Sequence, residues 1–404
     1  MKEKLFHYFC SDSRNAQIRM SIISQFINKG NTTIPELSKE IQLSTPTVTK
    51  FIREMCEYGY IDDLGKLETV EGRHPNLYGL NPDSGYFIGV DIEKFSISIG
   101  IINFKGDMKE LKADIPYEFN NTPEAFDVLC KLITNFIANV RLNPEKILNI
   151  NINISGRVNP QIGSSFTIFD FFERPLTDIL TERIGLRVSI DNDTRAMTYG
   201  EYLQGIARGK KDVLFINISW GLAIGVIING EIYTGKTGFS GEFGHIAAFE
   251  NEILCHCGKK GCLETEASGS AFHRILLERV NNGEISILSD RIRNDENIFL
   301  NDIIDAVNKE DLLCIEIVEE IGQKLGKHIA GLINIFNPEL VVIGGKLSLT
   351  GDYISQPIRS SVRKYSLNLV NKETVIALSK LKDKAGVIGA CLLARSRMFE
   401  NQQS

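Results

Sequence analysis

The chain has 404 residues, 43% apolar and 24% charged, with a formal net charge of −6. That length permits two or three ordinary domains, each with its own core, and the acidic balance excludes a uniformly basic nucleic-acid coat. No apolar run reaches 18 residues, the opening "MKEKLFHYFCSDSRNAQIRM" lacks the features of a secretory signal, and most of the eight cysteines are scattered, so a cytoplasmic protein without a membrane partner is expected.

Residues 1–80 carry ten basic and ten acidic side chains, so the negative excess lies wholly beyond them. Within this neutral segment, Ile18, Ile22, Ile23 and Phe26 recur at helical spacing. Thr33, three residues before Glu36 and followed by Pro35, forms a capping-box pattern for a second short helix with Leu37 and Ile41 inward. Ser44 then starts a third, in which Val48, Phe51, Ile52 and Met55 face inward. Thr45, Thr47, Thr49, Lys50 and Arg53 are left on its outer face, where hydroxyls and cations suit phosphates and base edges. Two short strands around "DDLGKLETVEGRHPNLYGL" would form a wing from which Arg73 and His74 reach DNA. The pattern predicts a winged helix-turn-helix, with a plain solvated helical bundle as the alternative.

From residue 86 the pattern changes. "YFIGVDI", "SISIGIINF" and "MKELKADI" read as three consecutive strands. A helix near 122–141 and a buried strand "ILNININIS" follow. At 212 the theme returns as "VLFINIS", "LAIGVIING" and "EIYTG", then a long helix at about 311–336, the strand "ELVVIGG" and a last helix near 384–398. The repetition predicts two duplicated α/β lobes, with a cleft between them for a small ligand.

Within the second lobe lies "CHCGKKGCLE". Cys255, Cys257 and Cys262, with His245 ten positions upstream of the first, make an N/S set of the kind that holds structural zinc in a closed site. A redox pair would more often be C-x-x-C, and three reduced thiols that merely lie close remain the alternative. His256 competes as a ligand, but is expected to point away if both neighbouring thiols bind.

"GFSGEFGHI…CHCGKKGCLE" is similar to the zinc and sugar motif of the ROK family of repressors, uncharacterised proteins and sugar kinases. "VSIDNDTRAMTYGE" resembles that family's Asn-Asp segment, "VVIGGKLS" its adenosine-side turn, and "EGRHPNLYGLN" the junction after the winged helix. The front end resembles the xylose-repressor and N-acetylglucosamine-repressor branch. The resemblance implies a two-lobed actin-like, ribonuclease H-like ATPase fold behind a winged helix-turn-helix. It implies domains at 1–82, at 83–205 with the helix 384–400, and at 206–383. It makes Asp193 the general base of any kinase reaction, Asn192, Asp193, Glu242, His245 and Glu264 the sugar-binding set, and the zinc a support for the pocket wall.

One departure stands out. Family kinases carry an Asp-x-Gly-Gly-Thr-type phosphate loop at the first hairpin; here "GVDIEKFSIS" keeps Asp91 but puts Glu93, Lys94 and Phe95 in place of the glycines and threonine. The second phosphate turn reads "ISWGLAIG", with Trp220 and Leu222. Phosphoryl transfer depends on positioning and charge stabilisation, so ATP and Mg²⁺ are not expected as cofactors. The expected protein is a sugar-responsive DNA-binding regulator, a repressor acting as a homodimer or homotetramer on operator DNA, with a monosaccharide or sugar phosphate as effector. An ATP-dependent sugar kinase with an attached DNA-binding module is the rival, and a DNA binder that senses nothing is a third reading.

Overall fold

The computed structural model describes residues 14–66 and 75–399. Among these, no helix is long and apolar enough to cross a membrane. They form two compact units, one of residues up to Asp193 together with those from Val387 onward, the other Thr194–Gly386.

The first unit begins with helices Arg14–Lys29, Ile34–Glu40 and Thr45–Glu57. The local signals act as their chemistry requires. Thr33 and Glu36 close a full capping box, and Ser44 caps the third helix through the Thr47 amide. Gln42 takes a left-handed φ of 54° in the turn between the second and third helices. Val48, Phe51, Ile52 and Met55 are buried, and an Arg19–Glu54 ion pair of 2.7 Å ties the first helix to the third. Strands β1 (Thr32–Thr33), β2 (Ile61–Lys66) and β3 (Asn76–Leu80) form a small sheet in the order β1-β3-β2, so a β2–β3 wing follows the third helix. Arg73 and His74 lie outside the described residues.

Next, β4 (Tyr86–Ile92), β5 (Ser96–Asn103) and β6 (Met108–Pro116) run as an antiparallel meander. Helix Pro123–Asn139 then crosses over to β7 (Ile147–Ile154), parallel to β4. A short ribbon, β8 (Val158–Asn159) and β9 (Ser164–Ser165), and helix Leu176–Ile184 lead to β10 (Val188–Asn192), parallel to β7. The spatial order is β10-β7-β4-β5-β6. Ile150, Ile152 and Ile154 of β7 enter the core shared with helices Pro123–Asn139 and Leu176–Ile184. The alternate residues Asn149, Asn151 and Asn153 are equally buried on the opposite face, so each needs hydrogen-bond partners there.

The second unit repeats this plan. β11 (Val213–Ile218), β12 (Leu222–Ile228) and β13 (Glu231–Ile232) form the meander, β14 (Leu340–Gly344) pairs parallel with β11, and β15 (Val375–Leu378) parallel with β14. The order β13-β12-β11-β14-β15 is that of the first sheet, element for element. Both parallel joins need a crossover, supplied by helices Leu312–Phe336 and Asp352–Tyr365. What the second copy adds is the stretch between β13 and Leu312, which holds the cysteine cluster and helices Gly269–Asn281, Ser289–Arg293 and Leu300–Asn308. The units divide at Asp193/Thr194, whereas the sequence reading placed the boundary at 205/206. Helix Asp193–Gln204 packs with the second sheet: Met197 joins Val213 and Phe215 in one apolar cluster, and buried Glu201 accepts hydrogen bonds from Ser379 and Leu381.

Candidate functional site

In the second unit a 3-10 turn, Phe243–His245, and the loop after Leu254 bring four ligand atoms together. The donor atoms of His245, Cys255, Cys257 and Cys262 all lie within 4.8 Å of one another. His245 Nδ1 is 3.5 Å from the Cys255 sulfur, and the Cys257 and Cys262 sulfurs are 3.6 Å apart, too far for a disulfide. A tetrahedron with Zn–S of about 2.3 Å and Zn–N of about 2.0 Å has N···S and S···S edges of about 3.5 and 3.8 Å. Both measured edges fit a zinc ion at the centre. Burial pushes the Cys255 thiol up to about 12, so holding it as a thiolate would take a cation beside it. Gly261 makes the loop possible: its φ is 72°, and a Cβ there would lie 2.1 Å from the Phe249 carbonyl oxygen.

The same loop carries the carboxylates. With Nδ1 turned to the Cys255 sulfur, His245 has its Nε2 3.6 Å from Glu242 Oε2. Glu264 is only 6% exposed. Its Oε2 accepts the Leu222 amide at 2.8 Å and its Oε1 meets His256 Nδ1 at 3.0 Å. Burial works against the Glu264 charge, but the hydrogen bonds from His256 and Leu222 hold its carboxyl below the ordinary value. His256, the competing ligand, is not among these four: its ring lies against Glu264, 5.1 Å from that of His245, because a buried carboxylate with one oxygen left over attracts the nearest donor. Composition and spacing could not reveal that contact.

In the first unit, Asn192 ends β10 and Asp193 opens the next helix. Asp193 Oδ2 accepts from the Ser155 hydroxyl at 2.7 Å, and Asn192 Nδ2 donates to the Gly156 carbonyl at 3.0 Å. Ser155 carries no motif of its own, and the sequence reading missed it. On the third helix, Thr45, Lys50 and Arg53 are exposed, and Thr47 and Thr49 half-buried. The Thr47 hydroxyl is shared with Ser44 at the N-cap, and Thr49 donates to the Thr45 carbonyl. Lys50 and Arg53 are therefore the long donors this face offers.

Residues 87–397 match the profile of the ROK family, and residues 16–62 match a winged helix-turn-helix DNA-binding profile. The chain belongs to the ROK family. It is 30% identical over 375 residues to the xylose repressor of Caldicellulosiruptor bescii, covering 90% of this chain and 92% of that one. It is 31% identical over 316 residues to the glucokinase of Thermotoga maritima, covering 77% of this chain and 98% of the enzyme. The crystal structure of a ROK family transcriptional regulator, a homolog of the E. coli MLC protein, superposes with a TM-score of 0.77 at 27% identity, covering 95% and 96% of the two chains.

Against the glycine-rich phosphate loop of ROK kinases, the β4–β5 turn here is closed on itself. Glu93 donates its amide to the Ser96 carbonyl, and its carboxylate accepts the Ser96 hydroxyl at 3.0 Å. Asp91 is buried and accepts from Asn153 at 2.9 Å. At the second ROK phosphate turn, the Ser219 and Trp220 carbonyls take the amides of Gly269 and Ser270. The Ser219 hydroxyl accepts the Lys346 amide at 3.2 Å, and the Trp220 ring packs against His273. Of the amides in these two turns, that of Glu93 is taken by the Ser96 carbonyl and that of Ser219 by the Gly221 carbonyl.

Proposed function

We propose that this chain is a sugar-responsive transcriptional repressor whose winged helix binds operator DNA and whose ROK region binds the effector. The observation that carries the reading is a combination: a winged helix-turn-helix module stands in front of a ROK region that has Glu93, Lys94 and Phe95 where ROK kinases carry their glycine-rich phosphate loop. Asn192, Asp193, Glu242, His245 and Glu264 would each partner sugar hydroxyls. Such hydroxyls need a donor or acceptor when they leave water. His245, Cys255, Cys257 and Cys262 would hold one zinc, whose work is to fix the loop that bears Glu264. Lys50 and Arg53, with Thr45, Thr47, Thr49 and Arg73, would meet the operator. Each winged helix reads one half-site, so a homodimer or larger symmetric assembly follows.

The kinase reading keeps one point in its favour. Asp193, bonded to Ser155, stands at a strand end where a carboxylate can take a hydroxyl proton. Glu93 counts against it, adding negative charge at the turn where kinases seat phosphate. A thermal-shift panel of pentoses, hexoses, N-acetylhexosamines and their phosphates, run with and without MgATP, tests both readings. The repressor reading expects a shift with one sugar class, none with MgATP alone, and no phosphorylated product. Turnover of roughly 1–100 s⁻¹ on any of these sugars would overturn it.

A further inference from the structure

The polar face of the first sheet is covered by the last helix, Ala385–Phe399. The fit is close. A Cβ on Gly89 of β4 would lie 2.2 Å from the Cys391 amide nitrogen, so the helix backbone rests directly on the strand. Asn149 on β7 donates to the Ala394 carbonyl at 2.8 Å. One turn further on, Arg397 Nη2 donates to Asp191 Oδ2 at 2.5 Å. Asp191 is 1% exposed, so its charge is matched by a guanidinium delivered from a distant part of the chain. The other oxygen, Oδ1, accepts the backbone amide of Asn192 at 2.8 Å. Asp191 thus joins the end of the last helix to the backbone of the Asn192–Asp193 pair. The chain leaves the first unit after Asp193 and re-enters it at Val387, so the ion pair links the first crossing to the helix that begins at the second.

We propose that Arg397 is a positioning residue for effector binding: through Asp191 it holds the backbone at Asn192 and so aims the Asn192 and Asp193 side chains. This rests on the reading that those two residues take sugar hydroxyls. Arg397 itself need touch no ligand. Removing the guanidinium takes one charged donor from buried Asp191 Oδ2, which favours uptake of a proton or a turn of the carboxylate. Both responses disturb the acceptor of the Asn192 amide.

The test uses the full chain, with D-xylose, D-glucose and N-acetyl-D-glucosamine titrated by calorimetry and the tightest binder carried forward. Zinc content and thermal midpoint serve as controls. Arg397→Gln should weaken that sugar by about tenfold, as expected for loss of one charged hydrogen bond. Arg397→Lys, which keeps the charge, should recover most of the loss. On an Asp193→Ala background, Arg397→Gln should add less than about twofold, because its effect passes through the pair already cut. An unchanged affinity in Arg397→Gln beside a weakened Asp193→Ala would overturn the proposal, and so would a full tenfold loss on both backgrounds, which marks a general effect on folding. If Arg397→Gln fails to fold, Asp191→Asn replaces it. Its single carboxamide oxygen can serve only one of the two donors, and wild-type binding by that variant would also refute the positioning role. Should Asp193→Ala itself bind normally, or no sugar bind the wild type, the assignment of the sugar-binding residues is wrong and this inference falls with it.

Discussion

Glu264 offers a way to separate ligand binding from folding. Its two oxygens have different duties: Oε2 accepts the buried Leu222 amide at 2.8 Å, and Oε1 faces His256 at 3.0 Å. Glu264→Ala removes both and leaves the Leu222 N–H without its acceptor, at a cost to stability of about 1–3 kcal/mol. Glu264→Gln can keep the Leu222 bond by turning its carbonyl oxygen inward. It then presents an NH₂ group where a carboxylate oxygen stood, so a sugar hydroxyl can no longer donate there. Loss of one charge-assisted hydrogen bond amounts to about 1.5–3 kcal/mol, or roughly 10- to 150-fold in affinity. Calorimetric titration with the responding sugar, beside thermal unfolding, should find Gln weakened in binding with a near-native midpoint, and Ala weakened in both. Wild-type sugar affinity in Glu264→Gln would show that the carboxylate does not touch the ligand.

Other consequences are as direct. Elemental analysis should find one zinc per chain, and Cys257→Ser should lower that content sharply; well under one zinc in the wild type, with no change in the variant, would remove the metal from the account. Lys50→Ala and Arg53→Ala should each weaken binding to a duplex selected in vitro from random sequence, and lower the slope of log affinity against log salt by about 1; an unchanged slope would take both residues off the DNA. Asp311 caps helix Leu312–Phe336 through the Cys314 amide at 2.9 Å and accepts the Ile287 amide at 2.7 Å. Burial opposes its charge but these two amides prevail, so its carboxyl is held below the ordinary value. A carboxyl with a lowered folded value contributes stability in full above its unfolded value and loses it as pH falls through the folded one. Asp311→Ala should therefore cost about 1–3 kcal/mol at pH 7, and its gap from wild type should begin to close below about pH 4; a constant gap down to pH 3 would contradict this cause.

Much of the architecture was legible because local and global signals agree. The alternation in "ILNININI", the repeated hairpin after residues 86 and 212, and the capping box at Thr33 each have one easy structural solution. The cluster of His245, Cys255, Cys257 and Cys262 was readable because the four residues fall within eighteen positions. What stayed hidden depends on contacts between distant segments. β10 and β15 are short and give no hint of which neighbour they pair with. Ser155, His256 and Arg397 are ordinary residues in sequence, given a place at Asp193, Glu264 and Asp191 only by the folded chain. The boundary at Asp193 was missed for a similar reason, since side-chain packing rather than helix propensity assigns helix Asp193–Gln204 to the second unit.

The central claim is that sugar binding and operator binding are linked. By thermodynamic reciprocity, an effector that weakens operator affinity by a given factor is itself bound less tightly by that factor on the operator complex. Fluorescence anisotropy of the in vitro-selected duplex, held by full-length protein and titrated with the sugar that raises the thermal midpoint, measures this directly. The account predicts release of the duplex, with operator affinity falling about 5- to 150-fold at saturating sugar, and a weaker response in Glu264→Gln. A sugar that binds the protein tightly yet leaves operator affinity unchanged would contradict it.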